Sequence, residues 1–271
     1  MRRPILTLLS LLPVLLLLAG CGGASVAGLG SLPTATPPPT EPIPEPTPTF
    51  LPPPTVTPFP TATPGGAVAS SGLIGAGGGD VTPAIDRPLG ELVFSSGFEA
   101  GWPTVSEEGV QVSLENGGYV FALAPNAMTV QNSSAVDAGN LYAQVEVTPQ
   151  ACPSGGGYGM FFRMRDSGNY YALTFFCDGR VTVFARSGGV LVPDPILDVT
   201  LPAGLSASSA GVHTIGVLAN GSRIEVFFDG QSIAVATDTR HTRGDVAVYA
   251  VGPRSSELRV VFDNLGVWAA Q

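Results

Sequence analysis

Residues 158–186 read YGMFFRMRDSGNYYALTFFCDGRVTVFAR, and this stretch decides the fold. It is rich in aromatic and β-branched residues and is punctuated at Asp166–Asn169 and at Asp178-Gly179, as strands separated by turns should be. Laid out as three antiparallel strands with a turn at Asp166–Asn169, it places Arg165 opposite Tyr170, Arg163 opposite Ala172 and Phe161 opposite Thr174. One face then carries Tyr158, Met160, Phe162 and Met164 against Cys177, Phe175, Leu173 and Tyr171. That face is the more apolar and is expected to pack on the core. The other, with Arg163, Arg165 and Tyr170, looks outward or lines a groove. Carried on to Arg180–Arg186 across a two-residue turn, the same register puts Val181, Val183 and Ala185 on the outer side. A slip of one residue exchanges the two faces.

The pattern continues on both sides. Short β-rich runs alternate with Gly, Asn and Asp turns from about Leu89 to the end, as in an all-β sandwich or barrel. Strands are expected near 91–95, 110–115, 119–123, 128–131, 141–148, 158–165, 170–177, 180–186, 212–219, 223–229, 232–237, 245–251 and 258–264. No stretch has a convincing 3.6-residue apolar period. Asp178-Gly179, Asp229-Gly230 and Asn220-Gly221 separate neighbouring strands and suit tight hairpins. Residues 88–271 are enough for one domain with a sizeable core.

Upstream, the composition changes. Pro33–Pro64 holds fourteen prolines among threonines, and Gly65–Gly79 is rich in Gly, Ala and Ser. A Pro/Thr tract favours polyproline II and is expected to be a disordered, extended spacer. Residues 1–20 read as a signal peptide: Arg2 and Arg3, then an apolar run from Ile5 to Leu18, then Ala19 and Gly20. The run is too short to span a bilayer. The sequence Leu18-Ala19-Gly20-Cys21 resembles the lipobox of bacterial lipoproteins. It implies acylation of Cys21, cleavage before it, and a mature protein held outside the cytoplasmic membrane by lipid. Residues 21–87 then form a stalk beneath the domain.

The remaining cysteines, Cys152 and Cys177, are an even pair in an oxidising compartment, and a disulfide is expected. The two histidines, His213 and His241, fit no zinc spacing with them. The whole chain carries a formal charge of −9; without the leader, ten arginines face twenty-one carboxylates, which gives −11. This balance argues against nucleic acid and against a polybasic grip on anionic lipid.

The runs Glu115-Asn116-Gly117-Gly118-Tyr119, Tyr158-Gly159-Met160-Phe161-Phe162-Arg163 and Asn169-Tyr170-Tyr171 resemble concanavalin A-like lectin/glucanase sandwiches. So do Val212-His213-Thr214 through Asp229-Gly230-Gln231, Gly244-Asp245-Val246 and Val261-Phe262-Asp263-Asn264-Leu265. The likeness is strongest to the laminin G-like branch and to 3-keto-disaccharide hydrolase-like domains, over about residues 90–270. It implies a jelly roll of two antiparallel sheets, with carbohydrate commonly bound on the concave side.

Two activities follow as expectations. The first is a non-catalytic carbohydrate-binding or adhesion module whose partner is a glycan or cell-envelope ligand. Its candidate contacts are Arg163, Arg165, Tyr170, Tyr158 and Trp102. For each there is a structural alternative: Trp102 beside Pro103 can cap the sandwich, and a strand tyrosine can simply pack. The second is a glycosidase, which needs two carboxylates about 5–9 Å apart. No strand carries closely alternating acids; Glu225 and Asp229 come nearest, Glu146 stands alone, and Asp263 reads as structural. No Gly-x-Ser-x-Gly elbow occurs. A lectin-type calcium site would draw on Asp166, Asp178 or Asp245, but without EF-hand spacing no cofactor is expected.

Overall fold

The computed structural model describes residues 81–99, 101–132 and 136–271. Cys21, the leader and the proline tract lie outside the described residues. The described residues contain no helix. The strands are β1 (Leu92–Ser96), β2 (Val105–Glu107), β3 (Val110–Glu115), β4 (Gly118–Leu123), β5 (Met128–Asn132), β6 (Leu141–Ala151), β7 (Gly157–Asp166) and β8 (Asn169–Phe176). They continue as β9 (Arg180–Ser187), β10 (Val190–Leu191), β11 (Leu197–Thr200), β12 (His213–Asn220), β13 (Arg223–Phe228), β14 (Gln231–Thr237), β15 (Asp245–Val251) and β16 (Leu258–Ala269). β2, β10 and β11, unforeseen in the sequence, are short and lie at or beside sheet edges.

All pairing is antiparallel. A nine-stranded sheet runs β14-β13-β12-β6-β16-β4-β3-β2, with β1 also on β16; a seven-stranded sheet runs β10-β9-β8-β7-β15-β5, with β11 on β9. The core lies between them. Tyr158, Met160 and Phe162 of β7, with Leu173 and Phe175 of β8, meet residues such as Val145, Val217 and Phe228 of the other sheet in one apolar cluster. In β16 a bulge around Asp263–Gly266 moves the core positions from Phe262 to Leu265 and Val267. Asn264 takes a left-handed φ of 48° there and donates to Glu146 Oε2.

The expected core faces of β7 and β8 are present up to Phe162, but Met164 lies on the outer side instead, and the partners are not the expected ones. Asp166 pairs with Asn169, and the ladder then shifts so that Phe162 stands opposite Tyr171 and Phe161 opposite Ala172. Three residues, Arg163–Arg165, oppose Tyr170 alone, and Arg163 has a φ of 48°. The bulge turns Arg163 inward, so it does not share the outer face with Tyr170.

The expected face of β9 is reversed. The hairpin loop is Cys177-Asp178-Gly179, three residues, with Gly179 at a φ of 90°. Phe175 therefore pairs with Val181. That one-residue difference sends Val181, Val183 and Ala185 into the core and turns Thr182, Phe184 and Arg186 outward. Asp229-Gly230 is a two-residue turn as expected, with both φ values positive.

Cys152 and Cys177 form a disulfide with a Cα–Cα distance of 5.4 Å. It ties the end of β6, in one sheet, to the β8–β9 turn of the other. Residues 81–89 also belong to the packed body, ahead of the compositional boundary at 87/88. Val81, Ile85 and Leu89 lie with Tyr142, Leu218, Phe227 and Trp268 in a second apolar cluster. Gln144 clamps this strap at both ends of its amide, accepting from Ala84 N at 2.7 Å and donating to Thr82 O at 2.9 Å.

Candidate functional site

The outer face of an antiparallel sheet is usually polar. That of the seven-stranded sheet is not. Phe161 of β7, Tyr170 of β8, and Ala247 and Tyr249 of β15 form a third apolar cluster, with Val130, Met164 and Ala172 against it. These residues alternate along their strands with core residues, so pleating places them on the side away from the core. Phe161 and Tyr170 stack at 4.1 Å with ring planes 12° apart, and Tyr249 tilts against Phe161 at 4.5 Å. The three rings largely cover one another; Ala172, Phe176 and Phe184 beside them are half-buried and supply accessible apolar surface.

A glycine makes this face possible. Gly159 stands between Tyr249 and Thr174 in the pairing of β15, β7 and β8. The Tyr249 hydroxyl reaches across it to the Thr174 hydroxyl. A Cβ at position 159 would fall 1.8 Å from Leu173 O. Burial drives the Tyr249 phenol above its ordinary range, with a smaller opposing effect from Thr174; it stays a neutral hydrogen-bonding group. Thr182 pairs with Thr174 in the next position, and its buried hydroxyl has no hydrogen-bond partner among the described residues.

The face runs at one end into a cleft of about 580 Å³ lined by Val136, Asp137, Met164, Arg165, Thr242, Arg243, Gly244 and Asp245. The β7 bulge forms one wall, and Gly244 lies so near that a Cβ on it would meet Met164 O at 2.6 Å. Asp245 accepts a hydrogen bond from Val136 N at 2.8 Å. Burial pushes its carboxyl above the ordinary value, against that hydrogen bond. Asp137 is held by Arg243 through two bonds of 2.9 and 2.8 Å.

The residues expected to bind ligand separate accordingly. Tyr170 lies in the aromatic cluster and Arg165 in the cleft. Arg163 is 1% exposed. Its guanidinium donates to the carbonyls of Gly139, Gly221 and His241 at 2.9–3.1 Å, which makes it an internal staple between three loops. Tyr158 is in the core with its hydroxyl on Ala207 O at 2.7 Å. Trp102 packs on Phe98 and Tyr119 and donates to Ser96 Oγ at 2.8 Å, at the side of β4; it caps. Phe184 and Tyr249 were hidden in the sequence. The first is displaced by the three-residue loop, and the second lies on β15, whose place beside β7 no local signal reveals.

The other polar candidates are occupied. Glu225 is 1% exposed and receives hydrogen bonds from Arg87, Arg223 and Ser232. Burial pushes its carboxyl up, but these bonds outweigh it and hold the pKa at about 2. His213 lies between Ser209 Oγ at 2.9 Å and Asp229 Oδ2 at 3.1 Å. The order is that of a hydrolytic relay, but the Asp229 side chain is 41% exposed and its other oxygen accepts from Thr214 N. The trio latches the 202–212 loop to the β13–β14 turn. Asp166 and Asp178 each fold into their own hairpin loop, and no metal-binding cluster of three ligands occurs among the described residues.

No protein-family model matches this chain, and no curated protein does. Solved structures do. One is a protein of unknown function with a galectin-like fold from Bacillus subtilis: 12% identity, 68% of this chain and 98% of that chain, TM-score 0.53. Another is the laminarinase catalytic domain from Thermotoga maritima MSB8: 13% identity, 67% and 98%, TM-score 0.50. The carbohydrate-binding module CBM66 from Bacillus subtilis aligns at 18% identity over 62% and 96%, TM-score 0.49. At such identities the likeness speaks for the fold: this is an all-β, concanavalin A-like jelly-roll sandwich.

Proposed function

We propose that this chain is a lipid-anchored, extracytoplasmic protein whose sandwich is a non-catalytic carbohydrate-binding or adhesion module. The observation that carries the binding reading is the apolar outer face of the seven-stranded sheet, where half-buried Ala172, Phe176 and Phe184 lie beside the Phe161–Tyr170–Tyr249 cluster and the face is open at one end to a cleft. Sugar rings present flat C–H faces that lie on aromatic side chains. The galectin-like and laminarinase folds among its structural neighbours agree with a sugar ligand. The lipobox-like run Leu18–Cys21 and the proline tract support display on a stalk.

A glycan array, followed by titration of the best ligand, tests the binding. Phe184→Ala and Tyr170→Ala should each weaken it about tenfold or more, the loss expected for one aromatic contact of roughly 1.5 kcal/mol. An array without signal would sink the reading. The glycosidase alternative has one supporting observation, Asp245 and Asp137 in the same cleft. It requires release of reducing sugar that disappears in Asp245→Asn. Metabolic labelling with palmitate, lost in Cys21→Ala, tests the anchor.

A further inference from the structure

Arginine use on this molecule is uneven. The chain has no lysine. Among the described residues six arginines are matched to carboxylates: Arg87, Arg180, Arg223, Arg240, Arg243 and Arg259. Arg163 is spent on three backbone carbonyls. Arg165, Arg186 and Arg254 have no carboxylate partner among the described residues, and the first two flank Tyr170. Arg186 is its cross-strand partner on β9, and Arg165 belongs to the three-residue bulge opposite it on β7.

Neither guanidinium forms a direct ion pair among the described residues. Arg186 donates through Nε to Gly189 O at 3.0 Å, which fixes the side chain and leaves the Nη edge without a bond among the described residues. The carboxylates nearest Arg165 are otherwise engaged. Asp166 accepts from Gly168 N and Asn169 Nδ2 within its own turn. Asp137 is held by Arg243, and Asp245 lies half-buried on Val136 N. A guanidinium presents a rigid planar fork that matches a carboxylate.

We infer that the ligand of this face is an acidic polysaccharide, its sugar rings over the Tyr170–Phe184 surface and its carboxylates on Arg165 and Arg186. The inference rests on the carbohydrate-binding reading and narrows it. The protein's net charge of −9 does not oppose it. At physiological salt a charge is screened within about 8 Å, so the two guanidiniums in contact outweigh carboxylates elsewhere.

The test uses the full chain with polygalacturonate and the same polymer after reduction of its carboxyl groups, each titrated calorimetrically at 150 mM salt. The acidic polymer should bind about tenfold or more tighter than its reduced form. In Arg165→Gln and Arg186→Gln that preference should fall several-fold, with thermal unfolding little changed, since Arg165 is exposed and Arg186 half-buried with a single bond to a loop carbonyl. Equal or stronger binding of the reduced polymer, or a preference indifferent to both substitutions, overturns the inference while the glycan-binding reading stands. Binding of neither polymer, with a neutral glycan bound on the array, also overturns it. No binding to any glycan removes both readings.

Discussion

Arg163 is a sequence-visible residue whose role no face pattern discloses. An arginine in an alternating strand reads as outward-facing, yet a left-handed φ at that one position turns it into the interior. Three carbonyls from three loops converge on it, that of His241 in the interior, and removing it breaks all three bonds and empties a buried side-chain site. Arg163→Ala should therefore lower stability by roughly 3 kcal/mol or more in a urea titration, whereas Arg165→Ala should change it by less than about 0.5 kcal/mol. Glu225 makes a second prediction at this scale. Its folded pKa of about 2 lies below that of the free carboxyl. The resulting stabilisation is fully present above the unfolded value near 4.3 and is lost as pH falls toward 2. The stability gap between wild type and Glu225→Gln, on the order of 3 kcal/mol at pH 6, should shrink steadily in denaturation curves taken between pH 5 and pH 2.5.

At the scale of elements, the alternation of aromatic and β-branched residues made thirteen strands and the core faces of β7 and β8 legible. What it could not convey was loop geometry. Asp-Gly suits a two-residue hairpin, but it also closes a three-residue loop with the glycine left-handed. Between Phe176 and Arg180 the second form occurs. That single residue decided whether Phe184 or Val183 belonged to the outer face, and with it half of the candidate site. The bulge at Arg163–Arg165 and the short β10 and β11 were likewise silent, since nothing periodic marks them. Gly159 shows the reverse case, a strand glycine with a packing reason. Gly159→Ala should destabilise strongly, because its Cβ would meet backbone rather than a side chain that could move. A loss of both cooperative unfolding and Tyr170-dependent binding is the expected result; a variant with unchanged melting would refute the close approach of the β8 backbone to that position.

At the scale of the whole molecule, the two sheets are joined by a shared core and by one covalent bridge. The bridge spans 25 residues of sequence and connects one sheet to the other. Cys152→Ala with Cys177→Ala should cost about 3 kcal/mol in unfolding free energy, measured against the oxidised wild type; the reduced wild type should match the double variant.

Where the polypeptide enters this body has a mechanical consequence. Residues 81–89 lie across the nine-stranded sheet, fastened by Gln144 and by the Arg87–Glu225 pair, while the aromatic surface belongs to the opposite sheet. Tension arriving through the preceding residues is therefore received as shear along one broad flank, over several side chains at once. The far flank, with its aromatic cluster, bears none of it directly.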